Sequence, residues 1–119
     1  MTHRMPILLD QIDALLADGM SPAEPQTVLR IERTLTDGYA SALALEGERL
    51  RIERQIEGVA ASLNAGDSER NAEELSLLAR RRAKVDGDLA HLRDRLALLR
   101  RRASELRTML PPAQAEAAG

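Results

Sequence analysis

The chain has 119 residues, a formal net charge of −2 and 30% charged side chains. Its length limits it to one domain. It has no Cys, Trp or Phe and a single Tyr, which excludes disulfides and thiolate metal sites and is typical of a helical rod. Its apolar runs are shorter than the ~20 residues of a bilayer span, and its N-terminus does not resemble a secretory signal. We therefore predict a cytoplasmic protein that does not cross a membrane.

The first predicted element is a short amphipathic helix over residues 5–18. Apolar side chains recur there at the spacing of one helix face. They are Leu8, Leu9, Ile12, Leu15 and Leu16. A Gly- and Pro-containing linker over 19–25 follows. Within it, residues 21–24 fit a capping box with Pro22 at the first helical position, and a start of the next helix at Pro25 is the alternative. Residues 1–25 are therefore predicted to form an N-terminal helix and linker.

Two heptad repeats, written abcdefg, occupy most of the remaining chain. In the first, the a and d positions are Val28, Ile31, Leu35, Gly38, Ala42, Leu45, Arg49, Ile52, Ile56, Val59 and Leu63. In the second, they are Leu75, Leu78, Arg82, Val85, Leu89, Leu92, Leu96, Leu99, Ala103, Leu106 and Leu110. All are aliphatic except Gly38, Arg49 and Arg82. A repeat of this length predicts a coiled coil rather than a general amphipathic face.

A short loop over 64–68 separates the two repeats and predicts that they pack as antiparallel neighbours. In the register that best matches large with small core residues, oppositely charged e positions meet, including Glu32 with Arg107. We predict an all-α fold with an antiparallel coiled-coil hairpin over 26–110 and a disordered tail over 111–119.

Five leucines lie outside the a and d positions of the two repeats. These outer leucines are Leu29, Leu43 and Leu50 at b positions and Leu77 and Leu98 at c positions. The partner helix of a hairpin does not cover them, so the N-terminal helix, a second copy of the chain or another protein must. We predict that they bind a protein partner, and that the hairpin forms a homodimer with the architecture of a four-helix bundle.

Arg49 and Arg82 are the charged a positions, and Glu53 and Asp86 follow them by one helical turn. In the predicted register these four side chains lie close together. One interpretation is that the two arginines bind an anion such as a nucleotide phosphate. The other is that polar a residues fix the register of the helices at some cost in stability, and this interpretation is favoured.

Nothing in the sequence indicates an enzyme, a cofactor or a metal site. His3 and His91 are isolated, and no catalytic or phosphate-binding motif is present. Residues 80–107 hold 10 bases and 4 acids, but they lack the interleaved aromatics that would favour nucleic acid. We predict a non-enzymatic interaction protein, an adaptor or regulator, that self-associates and binds a protein partner. The alternative is an anion or nucleotide sensor using Arg49 and Arg82.

Overall fold

A computed structural model of the chain describes residues 4–17, 25–63 and 68–109. It contains three helices: α1 (Arg4–Ala17), α2 (Pro25–Ser62) and α3 (Ser68–Met109). No strand occurs in these ranges, and the three helices pack together, so the prediction of an all-α fold is confirmed.

The helix ends agree with the local sequence signals. α2 begins at Pro25, whose fixed backbone angle and missing N–H suit a first helical position. α3 has Glu69 in its first turn and Arg107 in its last turn, and both charges are favourable in the field of the helix dipole. Of the predicted loop at 64–68, residues 64–67 lie outside the described residues, as does the tail at 111–119, and Ser68 is the first residue of α3.

The chain divides into two compact units, and α2 and α3 contribute to both. Unit 1 comprises Met1–Ser41 and Leu92–Gly119, and it holds α1, the start of α2 and the end of α3. Three helical segments therefore surround its core. Its buried apolar side chains are Leu8, Ile12, Val28, Ile31, Leu35, Leu92, Leu96, Leu99, Ala103 and Leu106.

α1 packs in unit 1 through the apolar side that its sequence predicted. Ile12 is fully buried and Leu8 nearly so, which confirms the helical spacing of these two residues. Asp13 Oδ1 lies 3.2 Å from Arg95 Nη1, so an ion pair joins α1 to α3. Thr34 of α2 is also buried, and its Oγ1 donates a hydrogen bond to the Arg30 carbonyl at 3.0 Å.

Gly38 marks the closest helix approach in unit 1. A Cβ placed on it would overlap Leu96 Cδ2 and would lie 3.2 Å from Leu96 Cγ. Since Leu96 is itself buried, it has little room to move aside. The glycine in this core position therefore allows α2 and α3 to pack closely.

Unit 2 comprises Ala42–His91 and is formed by two helical segments, the end of α2 and the start of α3. Its buried apolar side chains are Ala42, Ile52, Leu78, Val85 and Leu89. Leu45, Ile56 and Val59 pack against this core but are only partly buried. At the end of α2, Asn71 Nδ2 donates a hydrogen bond to the Ser62 carbonyl at 3.2 Å. Two helices thus bury a core on their facing sides and leave their flanks open.

Candidate interaction surfaces and charged cluster

All five outer leucines are exposed. Their exposed fractions range from 42% at Leu98 to 70% at Leu43, with Leu50 at 49%, Leu29 at 53% and Leu77 at 54%. Leu29 and Leu98 belong to unit 1, whereas the other three belong to unit 2. Unit 2, which has two helical segments, therefore carries most of this apolar surface.

Helix geometry divides the outer leucines into two groups. Around a helix of 3.6 residues per turn, b positions lie beside e positions and c positions lie beside g positions. In unit 2, Leu43 and Leu50 therefore lie on the flank that carries the e residue Glu53, and Leu77 lies on the opposite flank. The outer leucines of unit 2 therefore lie on two opposite flanks, and their binding to a protein partner stays a prediction.

Small, exposed residues occupy the α3 side of the flank that carries Leu50. Ala83 and Ala90 are exposed at b positions, and Gly87 is exposed between them. A Cβ placed on Gly87 would meet no heavy atom within 4 Å, so no contact within the described chain requires a glycine there. A glycine inside a helix costs about 1 kcal/mol relative to alanine. This flank thus combines leucines on α2 with a shallow, small-residue surface on α3.

The charged a positions and their neighbours form the four-membered cluster predicted from the sequence. Arg82 Nη2 lies 3.2 Å from Glu53 Oε1, and Arg49 Nη1 lies 3.6 Å from Asp86 Oδ1. Within each helix, Arg49 Nε to Glu53 Oε1 and Arg82 Nε to Asp86 Oδ2 are both 3.9 Å. Each guanidinium therefore contacts both carboxylates, and the prediction that these residues meet is confirmed.

This cluster is balanced in charge and partly shielded from water. Its side chains are 31–47% exposed, and two of its atoms, Arg49 Nε and Asp86 Oδ1, are buried and have no hydrogen-bond partner among the described residues. Two positive and two negative groups leave no net positive charge for an incoming anion. Ion pairs whose partners are distributed over both helices instead favour one alignment of α2 with α3. Anion binding by Arg49 and Arg82 therefore stays a sequence-based prediction that this arrangement does not favour.

A second predicted interhelical pair is present in unit 1. Arg107 donates from both Nε and Nη2 to Glu32 Oε1, and the Nε bond measures 3.1 Å. This confirms the Glu32–Arg107 pair that was predicted from the heptads. The Asp13–Arg95 ion pair, in contrast, was not predicted, because the heptad pattern carries no information about where α1 packs.

α3 contains two arginine triplets, at residues 80–82 and 100–102, and neither forms a single basic patch, because consecutive helical residues point about 100° apart. Arg82 belongs to the charged cluster, whereas Arg80 and Arg81 are exposed on other sides of α3. In the second triplet, Arg102 Nη1 pairs with Glu105 Oε2 at 3.3 Å. His91 is exposed, and His3 lies outside the described residues. These placements give no observation in favour of nucleic-acid binding.

Comparison of the chain with protein-family models, curated proteins and solved structures gives no match. None of the helices within 4–17, 25–63 and 68–109 has the length and apolar character needed to cross a bilayer. The same ranges hold no group of three or more His, Asp or Glu side chains placed to bind a metal ion. The exposed leucines and the charged cluster are therefore the features from which we propose a function.

Proposed function

We propose that this protein is a non-enzymatic coiled-coil interaction protein, an adaptor or regulator. In this proposal α2 and α3 form an antiparallel hairpin, the hairpin self-associates as a homodimer, and the outer leucines bind either the second copy or a protein partner. A cytoplasmic location is part of the proposal, because a chain without cysteine suits a reducing compartment.

The order of contacts within each unit supports an antiparallel hairpin. In unit 2, residues 71, 82 and 86 of α3 contact residues 62, 53 and 49 of α2 in that order. In unit 1, Leu96 lies beside Gly38 and Arg107 beside Glu32, which again pairs later α3 residues with earlier α2 residues. Core residues at heptad spacing and flanking ion pairs are the usual features of a coiled coil.

The exposure of the outer leucines is the observation that carries the proposal. Full burial of a leucine side chain is worth about 1.5–3 kcal/mol, so Leu43, at 70% exposed, leaves much of that free energy unrealised. Single exposed apolar residues are common on protein surfaces, but large apolar residues repeated at helical spacing on one flank are typical of an interface. Leu43 and Leu50 are one heptad apart on α2 and meet this criterion.

Self-association is tested by changing Leu43 and Leu50 together to glutamate and measuring the mass in solution by light scattering. We expect the wild-type chain to be a dimer and the double variant a monomer, with helix content unchanged by circular dichroism. The matched control changes Ala44 and Arg51 to glutamate, because these residues have the same spacing on the other flank of α2. The control variant should stay dimeric. A double Leu variant with wild-type mass would contradict the proposal.

Partner binding is tested with the outer leucines of α3. A Leu77→Glu, Leu98→Glu variant should keep the wild-type mass, because both residues lie at c positions of α3, whereas Leu43 and Leu50 lie at b positions of α2. The same variant should lose any protein that the wild-type chain captures reproducibly from its host. Equal capture by both chains would remove Leu77 and Leu98 from the binding surface.

A further inference from the structure

On one flank of unit 2, the exposed side chains of α2 are large and those of α3 are small. On α2, Leu50 projects at 49% exposure, while on α3 the exposed residues Ala83, Gly87 and Ala90 form a shallow surface. Because no atom lies within 4 Å of a Cβ on Gly87, the shallow surface is open within the described chain. This flank therefore carries a projecting leucine on α2 and a shallow small-residue surface on α3.

The charged cluster fixes which residues lie at the same level on the two helices of unit 2. Arg49 contacts Asp86, and Arg82 contacts Glu53. Leu50 directly follows Arg49 and is therefore level with the α3 segment around Asp86. That segment lies between Ala83 and Ala90.

We infer that a second copy of this chain covers this flank of unit 2, with a two-fold axis parallel to α2 and α3. The inference rests on the proposed self-association. Rotation about such an axis leaves the level of every residue unchanged and places α2 of one copy opposite α3 of the other. Leu50 of each copy then enters the depression between Ala83 and Ala90 of the second copy. A large side chain against small ones is the arrangement that close packing requires.

The charges at one end of this flank are complementary in the same arrangement. Glu57 follows Glu53 by one turn on α2, and Arg80 precedes Arg82 by about half a turn on α3, so both lie on the same side of the cluster. Both are exposed, and neither makes an ion pair within the described part of the chain. The two-fold axis brings Glu57 of each copy to the level of Arg80 of the second copy, twice per dimer.

The four-membered cluster is compatible with this contact because it carries no net charge. Two copies of a balanced cluster on facing flanks do not repel each other as like charges would. The opposite flank of unit 2 carries one outer leucine, Leu77, and its charged c and g positions include Arg51 on α2 and Lys84 on α3, which pairs with Asp88 at 3.7 Å. The flank of Leu50 is assigned to the second copy because it carries two of the three outer leucines of unit 2, Leu43 and Leu50.

The arrangement is tested by disulfide trapping, which suits a chain without native cysteine. Leu50→Cys, Ala83→Cys and Ala90→Cys are prepared separately, and the first is mixed with each of the other two under mild oxidation. A disulfide needs Cβ atoms about 3.5–4.5 Å apart, so a mixed disulfide reports the predicted contact. We expect it in at least one mixture and not in Leu50→Cys alone. Leu77→Cys mixed with Ala90→Cys is the matched control and should not cross-link.

Other outcomes overturn the inference in different ways. A dimeric wild-type chain that forms no mixed disulfide from Leu50→Cys would contradict this arrangement and leave self-association in place. A disulfide between Leu43→Cys and Leu50→Cys chains would show that α2 faces α2, as a two-fold axis perpendicular to the helices requires. A wild-type chain that is monomeric throughout would remove the self-association on which the inference rests.

Charge reversal provides an independent readout of the same contact. Glu57→Arg and Arg80→Glu should each raise the dimer dissociation constant roughly 3- to 10-fold, because two exposed pairs per dimer are lost. The double variant should return the constant to near the wild-type value. Arg81→Glu makes the same charge change on the other flank and should have little effect. A double variant weaker than both single variants would contradict the pairing of Glu57 with Arg80.

Discussion

Unit 1 and unit 2 are built on the same two helices, but they differ in how completely their side chains are covered. Of the 15 buried apolar side chains in the described residues, 10 belong to unit 1 and 5 to unit 2. Unit 1 has α1 as a third helical segment, and α1 contributes the fully buried Ile12. In unit 2 several core-position residues, such as Leu45, are only partly buried. A pair of helices buries one side of each helix, whereas a third helix also covers a flank.

The difference in coverage also explains where a charged core position is tolerated. Both charged a positions, Arg49 and Arg82, belong to unit 2, where their side chains remain 37% and 47% exposed. Removing an ion pair from water costs several kcal/mol per ion, and this cost falls when the heads of the side chains reach solvent. In unit 1 the core positions are apolar, except for Gly38, which has no side chain. The helices therefore pack closely there.

The largest change in unfolding free energy is expected from matched leucine truncations in the cores of the two units. Leu99→Ala in unit 1 should lower the free energy of unfolding by about 2–5 kcal/mol, because a fully buried leucine leaves a cavity. Leu45→Ala in unit 2 should cost clearly less, since the side chain is already partly solvated. Urea unfolding followed by circular dichroism measures both. Equal losses would mean that the two cores are equally well packed.

A matched pair of glycine substitutions tests helix approach rather than burial. Gly38→Ala should destabilise the protein by about 1 kcal/mol, because the cost of overpacking against Leu96 exceeds the gain in helix propensity. Gly58→Ala in unit 2 should stabilise by up to about 1 kcal/mol, since a Cβ there meets nothing within 4 Å. Thermal unfolding measures whether each substitution stabilises or destabilises the protein. Stabilisation by Gly38→Ala would show that Leu96 can move aside.

The smallest expected effect concerns the charged cluster of unit 2. Arg82→Gln should cost about 1 kcal/mol or less, because it removes ion pairs to Glu53 and Asp86 whose members are all substantially exposed. The cost should decrease with added salt. Arg81→Gln is the control, since Arg81 makes no ion pair within 4–17, 25–63 and 68–109, and it should be nearly neutral. Equal unfolding free energies for the two variants would mean that the cluster adds no stability.

Periodicity in the sequence was sufficient to predict the helical architecture and the charged cluster. Heptad spacing identified most of the residues that are buried, and it correctly predicted that Arg49, Glu53, Arg82 and Asp86 lie close together. The Glu32–Arg107 pair followed from the same register. These predictions succeeded because a repeat specifies which residues share a helix face, and a short loop restricts how two such faces meet.

The packing of α1 had no comparable signal in the sequence. Its apolar side was evident, but several open flanks of α2 and α3 were available to receive it, and no repeat relates α1 to any of them. Only the folded chain shows that Ile12 is buried in unit 1, that Asp13 pairs with Arg95 and that Thr34 loses contact with water. Contacts between segments distant in sequence depend on shape and on competition among alternative surfaces. For the same reason the sequence identified the outer leucines as a group, whereas the structure shows that unit 2, with two helical segments, carries three of the five.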